Sequence, residues 1–407
     1  MTSYQLGRCL IRRHAHRGSH MFIRYTVSQQ RCMHTNPLLL KDGRYHPLKY
    51  SAQNHCWNAN HLTKVLNSNW SLQTHRMLHS LTYGCHQQLQ NAMPDVKSSN
   101  GKAHAHVAHT LHETVLDVMG ARYRVGYVDE GDKNDPIILC LHGSPASYKD
   151  FLPMMPSLVS NGARVILFNF PGIGYSWHLE GSPFDYSHLS KAKLVEAFLS
   201  HQGIDKVNML VSHCASGHAG MQLCANTDLI QGVSFISPLA HLPHRTSDHT
   251  FTINFVYHSL KHPYMRALLG PLELQVWSKI SKVPLNIQEV DYFYGLACEA
   301  RQWDWKQAEA DLKDINTKGM PVMVLAAQRD PVVQFYILKG MMDLLGISQE
   351  SRLTYSEDHS GHQNEIEHIN PLKHGVIFEK GHWIQKSHPK VVAGLIMNFL
   401  NAIQDCK

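Results

Sequence analysis

The chain of 407 residues contains no run of about 18 consecutive apolar residues, so a transmembrane helix is not expected. It has no CxxC pair, and its nine cysteines (positions 9, 32, 56, 85, 140, 214, 224, 298 and 406) are odd in number and scattered. That excludes a disulfide framework and the paired ligands of a zinc site, and it fits a reducing compartment. Residues 1–41 contain no acid at all, but carry six arginines (Arg8, Arg12, Arg13, Arg17, Arg24 and Arg31) and Lys41. These alternate with Leu10, Ile11, Met21, Phe22 and Ile23, as in a mitochondrial transit peptide; a basic disordered tail is the other reading. No apolar core of about 7–15 residues follows the first charges, so a secretory signal is not expected. The expected location is mitochondrial, or cytoplasmic if the leader is only a tail.

Acidic residues are scarce well beyond the leader. Residues 1–112 hold thirteen Lys and Arg against two Asp and Glu, so the remainder of this chain of net charge +6 is mildly acidic. Residues 42–113 are polar, rich in Asn, Gln, Ser and His, and without a sustained period; they read as disordered or weakly structured. His104, His106, His109 and His112 cluster there, but the chain has 31 histidines and only Glu113 could complete a ligand set. No metal site is assigned. The basic residues lack interleaved aromatics or a known module, so no nucleic-acid partner is expected.

What is present begins at residue 114. Thr114–Met119 and Arg122–Val128 read as strands joined at Gly120. Apolar runs at 137–141, 163–170, 206–211, 229–237, 321–327 and 374–378 alternate with helix-like stretches at 147–160, 187–201, 215–226, 332–345 and 390–403. Such alternation predicts an α/β fold, a mostly parallel sheet with helices on both faces. Residues 239–315 break the rhythm and read as a helical lid, rich in aromatics such as Phe251, Phe255, Tyr264, Phe293, Trp303 and Trp305. The core is then 114–238 and 316–407, with residues 351–372 as a polar loop.

The stretch Leu210-Val211-Ser212-His213-Cys214-Ala215-Ser216-Gly217 passes from a strand to a helix, the layout of a nucleophile elbow. The turn is tight, so the residues two before and two after the presented side chain must be small. Centring on Ser216 puts His218 at one of those places, and centring on Ser212 puts Leu210 there. Only Cys214, flanked by Ser212 and Ser216, fits. A cysteine nucleophile needs a base, and the base needs an orienting group. Asp330 and His382 each follow a strand, in the order nucleophile, acid, histidine. His382 would take the thiol proton and Asp330 would fix its tautomer. Backbone N–H groups of Ala215 and of Ser144, in the loop His142-Gly143-Ser144-Pro145, would form an oxyanion hole, with Gly143 permitting the turn. Each residue also has a plain reading: Cys214 as an inert core thiol, His382 as one histidine of many, Asp330 before Pro331 as a turn former. Gly172-Ile173-Gly174 lacks the third glycine of a dinucleotide loop, since Trp177 stands in its place, so no cofactor is assigned.

Over residues 114–403 the chain resembles the α/β-hydrolase superfamily. The resemblance rests on His142-Gly143-Ser144-Pro145, Phe170-Pro171-Gly172-Ile173-Gly174-Tyr175-Ser176, the elbow, Asp330 and Gly381-His382. The His-Gly-x-Pro form is similar to epoxide hydrolases and haloalkane dehalogenases. Those place aspartate at the elbow, so their chemistry is not carried over. The whole pattern, with Phe378-Glu379-Lys380-Gly381-His382-Trp383-Ile384-Gln385-Lys386 near the end, looks most like a group of invertebrate (worm) α/β-hydrolase-like proteins without assigned function. Dienelactone hydrolases resemble the chain in using cysteine. The resemblance implies a hydrolase of an ester, lactone or thioester with a small or medium apolar acyl group. The alternative is a catalytically silent member that binds a ligand or partner, as the loss of both elbow glycines would fit.

Overall fold

The computed structural model describes residues 109–172, 176–180, 184–245, 247, 250–281, 290–355 and 370–406. The basic leader, His104, His106 and nearly all of the 42–113 segment lie outside the described residues.

Among the described residues ten strands form one sheet: β1 (Leu111–Val118), β2 (Ala121–Glu130), β3 (Ile137–Leu141), β4 (Arg164–Phe168), β5 (Trp177–Glu180), β6 (Met209–His213), β7 (Val233–Ile236), β8 (Val322–Arg329), β9 (Arg352–Tyr355) and β10 (Lys373–Lys380). Their order is β1-β2-β4-β3-β6-β7-β8-β10-β9, with β5 paired to β2. From β4 to β9 every pairing is parallel, and β2 is antiparallel to β1, β4 and β5. The β1–β2 hairpin turns on Met119 and Gly120, at φ 52° and 75°, as a type I′ turn requires. It starts earlier than the sequence reading, because Leu111 already pairs with Val128. His112 stacks beside Tyr127, and His109 Nε2 lies 3.2 Å from the Tyr148 hydroxyl.

The parallel strands read as unbroken apolar runs because both faces are covered. Leu139, Leu141, Val322, Val324 and Ala326 join one core layer, and their neighbours Ile138, Cys140, Met323, Leu325 and Ala327 join the other. The first layer is closed by α2 (His188–His201), α3 (Ser216–Asn226), α7 (Trp305–Thr317) and α8 (Phe335–Leu344); the second by α1 (Met155–Ser160), α9 (Ile384–Ser387) and α10 (Pro389–Asp405). Each fully buried Phe or Leu in these layers contributes about 1.5–3 kcal/mol relative to exposure. Between β7 and β8 the chain adds α4 (Thr250–Leu260), α5 (Pro263–Ser281) and α6 (Val290–Ala300) before α7. No helix among the described residues is long and apolar enough to cross a membrane.

Three local expectations are corrected. The helix expected over 147–160 is a single 3-10 turn (Tyr148–Asp150) followed by the short α1, because Pro153 and Pro156 interrupt the helical bond ladder. The strand expected at 206–211 lies at 209–213, so Ser212 and His213 are extended. The expected loop 351–372 begins with β9, an edge strand whose partner, Gly375–Phe378, lies about twenty residues on in sequence.

Register sets the site. Leu141, Ser212, Phe235, Val324 and Gly375 form one row across five parallel strands. The chain therefore leaves the same edge of the sheet after β3, β6, β8 and β10, as ligand sites in such sheets require.

Candidate active site

Cys214 follows β6 directly and adopts φ 53°, a left-handed conformation that costs a residue with a Cβ about 1–2 kcal/mol. The surroundings hold it there. Its N–H donates to Ile236 O at 3.2 Å, and its own carbonyl accepts from Gly217 N and Leu239 N. The two serines that replace elbow glycines are working parts. Ser216 Oγ lies 2.7 Å from Leu141 O and 2.9 Å from Ser212 Oγ, and it accepts from His213 N. Small size admits them to the turn, and their hydroxyls then fasten it to β3.

His382 follows β10. Its Nδ1 donates to Asp330, at 2.9 Å from Oδ2 and 3.1 Å from Oδ1, and the thiol of Cys214 lies within hydrogen-bonding reach of the ring. The order Cys214–His382–Asp330 is thus a contact order as well as a sequence order. Burial opposes a charge on His382, but the facing Cys214 sulfur and the Asp330 carboxylate outweigh it and raise the imidazole to about 10. Asp330 also fulfils its plain reading. Its Oδ1 accepts from Val332 N at 2.7 Å and Val333 N at 3.0 Å, closing the turn after β8.

Gly143 is required for space. Its φ is not positive; instead a Cβ there would meet Cys214 Cβ at 2.7 Å and His213 Nδ1 at 3.0 Å. That replaces the expected conformational reason with a steric one. Among the described residues, neither the Ala215 nor the Ser144 N–H donates to a backbone carbonyl. His142 pins the loop: its Nδ1 donates to Gly143 O at 2.7 Å and its Nε2 accepts from Phe170 N at 2.9 Å. Burial, with Lys191 nearby, lowers its pKa to about 3, so it stays neutral. Asp150, on the 3-10 turn after this loop, pairs with Lys386 at 2.5 Å, beyond His382.

These pieces open on a cavity of about 70 Å³. Gly143, Ser144, Cys214, Ala215 and His382 lie on its floor, and Asp330 stands behind His382 with its side chain fully buried. The roof comes from α4 and α6. Of the aromatics expected to shape a pocket, Phe293 and Trp303 line it, whereas Phe251, Phe255 and Tyr264 are 85%, 57% and 61% exposed on the outer surface.

Sequence reasoning did not single out His213 or His244, which also line the cavity. His213 Nε2 donates to the His382 carbonyl at 3.2 Å, bracing the loop that carries the imidazole. Burial and the facing His382 charge hold His213 well below its ordinary value. Its place beside Cys214 was the available signal. The core thiols Cys140 and Cys224 do not line the cavity; both are fully buried, and burial pushes both up. No group of three or more His, Cys, Asp or Glu that could hold a metal occurs among the described residues.

A family model described as the alpha/beta hydrolase fold matches residues 136–260. A haloalkane dehalogenase of Psychrobacter cryohalolentis is 28% identical over 132 residues, 32% of this chain and 42% of the relative. Another, from Mycolicibacterium paratuberculosis, is 29% identical over 123 residues, 30% of this chain and 40% of the relative. The chain thus spans about two fifths of the length of the curated relatives it matches. Among solved structures, a haloalkane dehalogenase from Bradyrhizobium elkani aligns with TM-score 0.53 at 16% identity, over 74% of this chain and 100% of that one. A carboxylesterase from the thaumarchaeon Nitrososphaera gargenis gives TM-score 0.51 at 14% identity, over 72% and 100%. At such identities the likeness is one of architecture, and sheet order, elbow and family match agree on it: this chain has the α/β-hydrolase fold.

Proposed function

We propose that the protein is a cysteine hydrolase that cleaves an ester, lactone or thioester through a covalent acyl-enzyme. The observation that carries this reading is the contact of His382 with Cys214 on one side and Asp330 on the other, at the floor of a cavity. In the first step Cys214 Sγ, whose proton His382 Nε2 already holds, bonds to the substrate carbonyl carbon. The carbonyl oxygen takes the negative charge and is met by the N–H groups of Ala215 and Ser144. The bond to the leaving group then breaks, and His382 returns the proton to it. Water attacks the thioester, gives a proton to His382, and releases the carboxylic acid as Cys214 Sγ leaves with the proton still on His382.

A thiolate suits activated acyl carbons. The curated relatives named above are dehalogenases by name, and that chemistry depends on an elbow aspartate, which Cys214 replaces. The mitochondrial address and the kinship to worm proteins are further proposals, resting on residues 1–41 and on Phe378–Lys386 respectively.

The test is p-nitrophenol release from p-nitrophenyl butyrate by the full chain, by Cys214→Ala and by His382→Ala. Both variants should lose at least about 1,000-fold in kcat. Equal rates in all three proteins would refute the hydrolase and leave a silent fold that binds a ligand in the same cavity.

A further inference from the structure

The roof of the cavity carries a second layer of information. Helix α6 turns Phe293, Leu296, Ala297 and Ala300 toward Cys214, spaced i, i+3, i+4 and i+7 along one helical stripe. Two large side chains are followed by two alanines, so the stripe is recessed at its carboxyl-terminal end. Ile253 and Val256 of α4 close the side. Helix α6 is fixed to the core one residue before Ala300, where Glu299 forms a buried ion pair with Lys191 of α2. The depth of the recess is therefore held by a rigid contact.

Among the described residues the lining has no Lys, Arg, Asp or Glu. Its titratable groups are Cys214, His213, His244 and His382. His213 and His244 are both kept neutral by burial, His244 at about 3. A carboxylate or ammonium on the acyl chain would lose its hydration and meet no Lys, Arg, Asp or Glu side chain among the described lining residues. Size sets the other limit. A water-sized group occupies about 10–15 Å³ of such volume, so a cavity of about 70 Å³ takes five to seven of them.

We propose that the site selects uncharged acyl groups of about four to six carbons, and that Ala297 and Ala300 set the upper length. This deepens the hydrolase reading and rests on it for the catalytic readout alone. Both alanines are specificity-determining positions that touch the chain of the substrate and take no part in the bond changes.

The experiment compares p-nitrophenyl acetate, butyrate, hexanoate, octanoate and decanoate with the full chain. The leaving group is constant, so differences report the acyl site. While the recess fills, each methylene should raise kcat/KM about fourfold, or about 15-fold from acetate to butyrate. The rate should peak at butyrate or hexanoate and fall at least tenfold by decanoate. The hemisuccinate, which puts a carboxylate where butyrate has its methyl, should run at least a hundredfold slower than butyrate. Ala297→Leu should shift the optimum to acetate, and the smaller Ala300→Val should lower hexanoate relative to acetate. A flat or rising profile through decanoate that still depends on Cys214 would overturn the size limit and leave the hydrolase standing.

Binding gives an answer independent of turnover. In Cys214→Ala, hexanamide should raise the Tm more than acetamide or decanamide at equal concentration. Equal or greater stabilisation by decanamide would overturn the inference even if no ester were hydrolysed.

Discussion

Replacing Lys191 by methionine removes one charge from a pair whose side chains are 3% and 4% exposed. The lysine stem lies against Phe170, with Nζ 4.9 Å from the ring centre, and methionine keeps most of that packing. What changes is the electrostatics: the Glu299 carboxylate is left in the interior without its counter-ion. Breaking a buried pair from one side costs about 3–5 kcal/mol. For a domain of this size each kcal/mol moves Tm by roughly 2–4 °C, so the fall should be on the order of 6–20 °C. Glu299→Leu should cost a similar amount by stranding the ammonium. The double variant Lys191→Met/Glu299→Leu should recover most of the loss, because apolar replacement of both partners is often neutral or stabilising. Urea unfolding of the four proteins, followed by calorimetry, gives the coupling energy. Additive losses, or a Lys191→Met cost below about 1 kcal/mol, would mean the pair is hydrated and that α6 is not anchored through it.

Acid should destabilise the fold through its neutral histidines. His142, His218 and His244 have values near 3, 4 and 3, each lowered chiefly by burial. Their stabilising effect is present above about pH 6.5 and is lost as the pH falls toward those values; at pH 5 each costs about 2 kcal/mol. His382 has the opposite sign: its pKa is raised to about 10, so its contribution is complete below about pH 6.5 and fades as the pH rises through 10. A Tm that stays constant from pH 7 down to pH 5 would contradict the first claim. Gly143→Ala should cost about 1–3 kcal/mol and depress kcat, since the new methyl meets Cys214 Cβ at 2.7 Å; unchanged kinetics would show that the loop moves aside freely. Residues 1–41 fused to a fluorescent protein should direct it to mitochondria, with Arg12→Glu/Arg13→Glu abolishing import; diffuse fluorescence of the parent fusion would dismiss the transit peptide.

The elbow was legible because its constraint is local and steric: three candidate centres, and only Cys214 with small residues on both sides. The positions of Asp330 and His382 followed from strand ends and chain order. Gly143 was identified for the wrong reason, since the atoms it must avoid belong to Cys214 and His213, some seventy residues away in sequence. Strand β5 was missed because residues 177–180 carry no apolar run, and β9 because its four residues gain meaning only beside β10. The aromatics of the helical insertion signalled a pocket, yet the cavity wall is largely aliphatic and alanine, because helical phase turns Phe251 and Phe255 outward. The Lys191–Glu299 pair joins helices more than a hundred residues apart, and no periodicity in either announces the other.

Asp330 has a consequence for how sequences like this one should be compared. Its Oδ1 closes the turn after β8, and both its oxygens face His382. A lineage that lost the chemistry would still be under pressure to keep the aspartate, because removing it would strand two backbone N–H groups in the interior. Persistence of Asp330 is therefore a record of folding, whereas drift at Cys214 or His382, which no turn depends on, would be the first trace of an abandoned reaction.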